Sequence, residues 1–404
     1  MKKTVCELFA GVGGFRLGLE NSAKGWKTVW FSQWEPGAST QWAHDCYVRH
    51  FGESKDLNGD IESTGIDISE VDKSIIPDHN LLVGGFPCQD YSVARSLNGE
   101  QGIEGKKGVL WWQIRDTIIA KKPPFCLFEN VDRLLKSPAK QRGRDFGVML
   151  ACLNELGYSV EWRVVNAALY GAAQRRRRVF IFAYRNDTKY AEKQCEVEAE
   201  KIIAKKGFFA KVFPISEYSK IKETEIARDI TDVSDNFSFS FEKAGYMYNS
   251  IAYTSRITEK EEEPITLGQI LESDADEKFY ITDEKMEKWT YLKGAKKIPR
   301  IAANGHEYIY SEGPVGFPDD LDKPGRTMLT SESTINRSSH VVEDPKTHRL
   351  RIITPVEAER LQGFDDNWTE GMTQRMRYFC MGNALVVPMI TRMGKRLSII
   401  LKNE

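Results

Sequence analysis

Thr4-Val5-Cys6-Glu7-Leu8-Phe9 runs directly into Ala10-Gly11-Val12-Gly13-Gly14. A strand-like segment thus meets a glycine turn, and helical spacing begins near Phe15. Glycines in such a turn let the backbone approach a ligand closely, and the N–H groups of a helix start favour an anionic group such as a carboxylate. A second strand-like run, Lys27 to Trp34, stops at Glu35, about 20 residues further on, where an acidic side chain can hold both hydroxyls of a ribose. The pattern suits a nucleoside cofactor, or else a tight strand–helix turn with no ligand. A dinucleotide site fits less well, because the third glycine of G-x-G-x-x-G falls on Arg16.

Outward from this turn, strand-like and helix-like segments alternate, the pattern of an α/β sheet that is mixed but mostly parallel. A third candidate strand leads to Asp60. Asn80 to Phe86, nearly all apolar, reads as a central fourth. Val109 to Lys121 has helical spacing, Phe125 to Val131 is a buried strand, and Phe146 to Leu156 is a helix stopped by Gly157. Tyr158 to Val165 and Arg178 to Tyr184 read as an antiparallel closing pair. After Tyr184 the rhythm is lost, and short β-like pieces such as Phe237 to Phe241 and Tyr246 to Tyr253 suggest an irregular domain. Rhythm returns at Arg351. Thr354-Pro355-Val356-Glu357 carries a cap, a proline at the first helical position and the glutamate of a capping box, with Gly363 as the stop. A last helix runs from Val387 to about Leu401. The division predicted is 1–185, 186–348 and 349–404.

The 404 residues, 41% hydrophobic and 28% charged, are those of an ordinary globular protein with room for two domains. No apolar run approaches the roughly 20 residues of a spanning helix. The start, Met1-Lys2-Lys3-Thr4, enters a strand containing Glu7 and does not read as a signal peptide, so a cytoplasmic location is expected. Seven scattered cysteines without a Cys-x-x-Cys pair argue against a disulfide framework and against a zinc or other metal site. The net charge of -1 gives no global sign of nucleic acid. Local clusters do: Arg133, Lys136, Lys140, Arg142 and Arg144 lie in one short stretch, and Arg175 to Arg178 are consecutive.

Three further constellations carry chemistry. Gly84-Gly85-Phe86-Pro87-Cys88-Gln89 ends the predicted central strand, where α/β sheets bind their ligands. Burial is the usual fate of a cysteine, but Cys88 is followed by a polar loop punctuated by Gly99, Gly102, Gly105 and Gly108, which reads as a lid. Phe128-Glu129-Asn130-Val131 stops the next apolar strand on a carboxylate suited to proton donation, or to a plain loop anchor. In Gln174-Arg175-Arg176-Arg177-Arg178-Val179-Phe180, strand alternation sends Arg176 and Arg178 to one face and Arg175 and Arg177 to the other.

In this order, Phe-x-Gly-x-Gly-Gly, Pro-Cys-Gln, Glu-Asn-Val, Gln-x-Arg-x-Arg, Arg360-Leu361-Gln362-Gly363-Phe364 and Gly382-Asn383-Ala384 resemble the cytosine-C5 DNA methyltransferases. The likeness covers about 1–184 and 349–404. It implies a Rossmann-like S-adenosyl-L-methionine (AdoMet) methyltransferase core, with residues 186–348 in the position of the target-recognition domain. It implies Cys88 as the thiolate that adds to cytosine C6, Glu129 at N3, Arg178 at O2 and Arg176 in the same site, with the base flipped out of duplex DNA. For AdoMet it implies Phe9, Gly11, Gly13 and Gly14 around the methionine end, Glu35 on the ribose, Asp60 near the adenine, Pro87 against the cofactor and Asn383 from the C-terminal segment. A base-supporting contact is expected within Thr327 to Ser331, and Lys293 to Lys297 offer either phosphate contacts or plain solvated surface. Departures from the family pattern at Phe86, Ala173 and Leu385 remove no reactive group. The resemblance further implies a monomeric bacterial or phage enzyme with a possible cognate restriction endonuclease. The alternative is a relative acting on transfer RNA, to which the length of the recognition region is less suited.

Overall fold

The computed structural model describes residues 1–86, 110–302 and 305–404. One compact unit comprises Met1–Tyr170, Arg177–Glu262 and Val387–Glu404, and a second comprises Gly171–Arg176 and Glu263–Val386. The composition change after Tyr184 is not a boundary between them, because residues 186–262 pack with the sheet of the first unit.

That sheet has nine strands in the order β2-β1-β3-β4-β6-β5-β9-β10-β8. Strands β1 (Thr4–Leu8), β2 (Lys27–Ser32), β3 (Leu81–Gly85) and β4 (Phe125–Val131) are parallel, with β3 central among them. Strands β5 (Tyr158–Asn166) and β6 (Arg177–Arg185) form the expected antiparallel pair. A short ribbon of β7 (Ile215–Tyr218) and β11 (Ile257–Glu259) flanks the chain of β8 (Lys222–Glu225), β9 (Ala244–Tyr248) and β10 (Ile251–Ser255), which extends the sheet beyond β5. The β9–β10 hairpin turns at Asn249 and Ser250, both at positive φ, as a two-residue loop requires.

Helices α1 (Gly14–Ser22), α2 (Trp42–Phe51), α3 (Leu110–Lys121) and α4 (Arg144–Glu155) alternate with the parallel strands. The helix Val387–Asn403 crosses α1 closely: a Cβ on Gly18 would run into Ile390, and one on Gly394 into Ser22. The second unit carries two ribbons, β12 (Lys296–Ile301) with β13 (Glu307–Glu312) and β14 (Val341–Glu343) with β15 (Leu350–Ile352). Its helix Pro355–Gln362 starts on the expected capping box of Thr354 and Glu357 and ends on Gly363 at φ 79°.

Three sequence expectations are corrected. No strand leads to Asp60: the Asp56 carboxylate accepts the N–H groups of Asn58 and Asp60 and turns the chain, and short 3-10 turns follow. The second strand ends at Ser32, short of Trp34. Phe237 to Phe241 is not a strand. Its alternate phenylalanines pack into the sheet core, Phe237 over Gly147 of α4 and Phe241 edge-on to Phe146 and Trp162.

Candidate active site

The glycine turn sits at the carboxyl end of β1. Phe9 and Gly11 lie at φ 55° and 57°, and Gly13 at 88°. The two glycines are required for different reasons. A Cβ on Gly13 would run into the ring of Phe51, whereas one on Gly11 would meet nothing, so Gly11 is needed for backbone conformation alone. Helix α1 starts at Gly14, and its cap position, Gly13, provides no side-chain acceptor for the first N–H groups. Gln33 pins the turn from the end of β2: its buried Oε1 accepts the Gly11 N–H at 2.7 Å. No sequence pattern pointed to Gln33, because its partner lies 22 residues away.

Glu35 is half-buried three residues beyond the end of β2. The Gln41 amide brackets its backbone, accepting its N–H at 2.7 Å and donating to its carbonyl at 3.0 Å. Burial pushes its carboxyl above the usual range. Asp60 is exposed, and its Oδ1 accepts the Glu62 N–H at 2.8 Å. Trp34 and Ile61, adjacent in sequence to these two acids, are large apolar side chains left exposed.

At the ends of β3 and β4 the geometry is tighter. Asn130 donates its amide to the Phe86 carbonyl at 2.8 Å, fixing the residue before Pro87 and Cys88. Gly85 pairs in register with Glu129, whose Oε2 would lie 3.3 Å from a Cβ at that position. The other oxygen, Oε1, forms an ion pair with the Arg178 Nε at 2.8 Å, with the two side chains 13% and 18% exposed. Arg178 also donates to the Arg177 carbonyl at 2.8 Å. Pro87, Cys88 and the segment expected to act as a lid, 89–108, lie outside the described residues.

Within the second unit, Arg176 is buried, and its guanidinium donates to the carbonyls of Met328 (3.1 Å) and Gly382 (2.9 Å). Gln174 accepts the Met328 N–H at 2.9 Å, and the Thr327 hydroxyl donates to the Arg175 carbonyl at 2.6 Å. The stretch Thr327 to Thr330 is therefore held by the Thr327 hydroxyl and the Met328 backbone, with the Leu329 side chain exposed. Asn383 is exposed at the end of the helix Gln374–Asn383. Lys293 is buried and donates to the carbonyls of Arg337 and Ser339. Burial pushes its ammonium down to about 8, so it is a structural lysine and not part of a phosphate-facing run. Lys297 remains exposed on β12.

No described helix is long and apolar enough to cross a membrane. The family model for C-5 cytosine-specific DNA methylases matches residues 3–398. The chain is 54% identical over 403 residues to the type II methyltransferase M.Sau3AI of Staphylococcus aureus, covering 99% of this chain and 96% of that protein. It is 27% identical over 405 residues to the type II methyltransferase M.NgoBI of Neisseria gonorrhoeae, covering 99% and 94%. Its fold matches the crystal structure of the S. pombe Dnmt2 methyltransferase with a TM-score of 0.59 at 14% identity, covering 100% and 99% of the two chains. A Spodoptera frugiperda DNMT2 mutant matches with a TM-score of 0.60 at 14% identity over 99% and 100%. These structural likenesses bear on the α/β methyltransferase fold, whereas the sequence matches reach the chemistry. The chain belongs to the C-5 cytosine-specific DNA methylase family and is a DNA cytosine-5-methyltransferase of the type II modification kind, using AdoMet.

Proposed function

We propose that this enzyme methylates one cytosine within a specific duplex DNA sequence, by adding the Cys88 thiolate to C6 of a base turned out of the helix. Cytosine C5 is a weak nucleophile until a group adds at C6, and a thiolate is nucleophilic near neutral pH and leaves again readily. The observation that carries the reading is the Arg178–Glu129 pair beside Gly85 and Phe86, the two residues that lead into Pro87 and Cys88. In this reading Glu129 engages N3 and draws charge into the ring, while Arg178 holds O2. A stacked base cannot reach these groups, so extrusion is part of the proposal.

AdoMet supplies an electrophilic methyl group. The residues of the first unit fit it: uncapped N–H groups of α1 suit its carboxylate, Glu35 suits the ribose, and Asp60 with exposed Trp34 and Ile61 suits the adenine. Phe9, Gly11, Gly13 and Gly14 would shape the methionine end, with Pro87 against the cofactor. Arg176 enters as support for the Thr327 to Thr330 backbone, its guanidinium being engaged by two carbonyls.

Target recognition is proposed to lie within 186–348, in the part from Glu263 onward that belongs to the second unit, with 1–185 and 349–404 supplying the catalytic core. The named type II relatives support a bacterial modification role; a cytoplasmic monomer working alongside an endonuclease of the same specificity is proposed with it. Bisulfite sequencing of DNA from cells expressing the protein tests this: 5-methylcytosine at one short recurring sequence is expected. Unmodified DNA, with methyl label entering transfer RNA instead, would overturn it.

A further inference from the structure

Glu7 is fully buried in β1, and the reaction described above gives it no part. Its Oε2 accepts the Tyr47 hydroxyl at 3.0 Å, while Oε1 finds no hydrogen-bond partner among the described residues. Tyr47 lies on α2 and stacks on Phe31 of β2 with ring centroids 3.9 Å apart. Its ring, with that of Phe51, forms the surface against which Gly13 rests. The Arg16 guanidinium lies over the Phe51 ring at 4.4 Å and pairs with Glu20 at 2.9 Å. A buried carboxyl thus holds the platform beneath the glycine turn. The geometry suits a neutral acid. A carboxylate with one oxygen buried and unpaired is costly, whereas a protonated carboxyl accepts from Tyr47 at little penalty.

We propose that Glu7 is a positioning residue whose uncharged carboxyl, acting through Tyr47, sets the glycine turn for AdoMet, so that cofactor affinity falls when this carboxyl ionises. The proposal rests on the reading that the turn holds AdoMet. Burial pushes the Glu7 carboxyl up to about 8, against the opposing pull of the Tyr47 hydroxyl and Arg16. The titratable groups facing it are Tyr47 from α2 and Arg16 and Glu20 from α1, with Cys6 beside it on β1. Its register partners on β2 and β3, Phe31 and Val83, are apolar. Burial raises the Tyr47 hydroxyl well above its ordinary range, leaving Glu7 to respond in the mildly alkaline region.

The test is calorimetric binding of S-adenosylhomocysteine, which needs no turnover, to wild type, Glu7→Gln and Tyr47→Phe from about pH 7 to about pH 9.5. The ligand's own amine titrates alike with every protein, so the ratio of wild-type to Glu7→Gln affinity isolates the carboxyl. That ratio should fall about tenfold across the range, and a constant ratio would overturn the proposal. Tyr47→Phe breaks the hydrogen bond through which the carboxyl acts, so its affinity should fall with pH no more than that of Glu7→Gln. A fall as large as in wild type would also overturn the proposal. Failure of the site reading looks different: Gly11→Val, which crowds the open side of the turn, would then leave binding at pH 7 unchanged.

Discussion

Two arginine–glutamate pairs, one in each compact unit, show how little residue type says about role. In the second unit Arg351 is enclosed: its two terminal nitrogens grip both oxygens of Glu357 at 2.8 and 2.7 Å, and its Nε donates to Asp344 at 2.9 Å. None of these groups has appreciable contact with solvent. Such a pair offsets a large desolvation cost through fixed two-point geometry, and it has no capacity left for a ligand. In the sheet unit Arg178 meets Glu129 through a single Nε–Oε1 contact, with both side chains partly exposed at strand ends. A one-point pair at the mouth of a sheet can be reorganised by an incoming base. Enclosure and the number of committed N–H groups separate this structural ion pair from the one proposed to engage the base.

The largest effect should come from breaking the open pair. Glu129→Gln is expected to lower methyl transfer by roughly 10²–10⁴-fold while leaving the unfolding midpoint within about 2 °C. A collapse of the melting temperature would make this pair structural as well. Breaking the enclosed pair should do the reverse. Glu357→Ala leaves Arg351 half-compensated in the interior and should cost about 3–5 kcal/mol in urea unfolding, with methylation per folded molecule retained.

pH sharpens the contrast, because the buried acids of the two units carry opposite signs. Burial alone would push the Asp344 carboxyl up, but Arg351 and the N–H groups of Thr347 and Lys346 hold it at about 2. Its ionised form is therefore favoured by folding. The stability it contributes is complete above its ordinary value of 3.8 and is lost as pH falls toward 2. Asp344→Asn should flatten that acid limb in a pH series of melting temperatures. Glu7, raised from 4.5 to about 8, favours the protonated form, so the native state loses relative stability as pH rises between those values. Glu7→Gln should gain on wild type across the same interval and then run parallel to it. The smallest effect belongs to Thr354→Ala, which removes the cap of the helix Pro355–Gln362 and should cost about 1 kcal/mol.

Much of this was legible in the chain itself where the signal is local. Phe125–Val131 is a strand to the residue because it is an unbroken apolar run ending on polar groups, and the Thr354 capping box is a four-residue pattern. The glycine turn is equally local. Reading failed where a side chain overrode the pattern. Asp56 turns the chain before Asp60, where a strand was expected, and the Asp67 and Asp72 side chains cap the 3-10 turns that follow. The alternate phenylalanines of 237–241 imitate strand periodicity while filling a gap over α4. Alternation separated Arg176 from its exposed neighbours Arg175 and Arg177, yet could not foresee that Arg176 would be committed to the carbonyls of Met328 and Gly382, 152 and 206 residues away. Gln33 and Asn130 escaped for the same reason: their partners are set by strand pairing across the sheet.

Cys88 is proposed to attack the base held by Glu129 and Arg178, and a trapping experiment decides whether it does. Duplex DNA bearing 5-fluorocytosine at the methylated position, incubated with AdoMet, should yield a denaturation-resistant protein–DNA adduct, because the fluorine cannot leave as the C5 proton does. Cys88→Ala should form none while still binding S-adenosylhomocysteine. No adduct from the wild-type enzyme, or an adduct that survives in Cys88→Ala, would contradict the account.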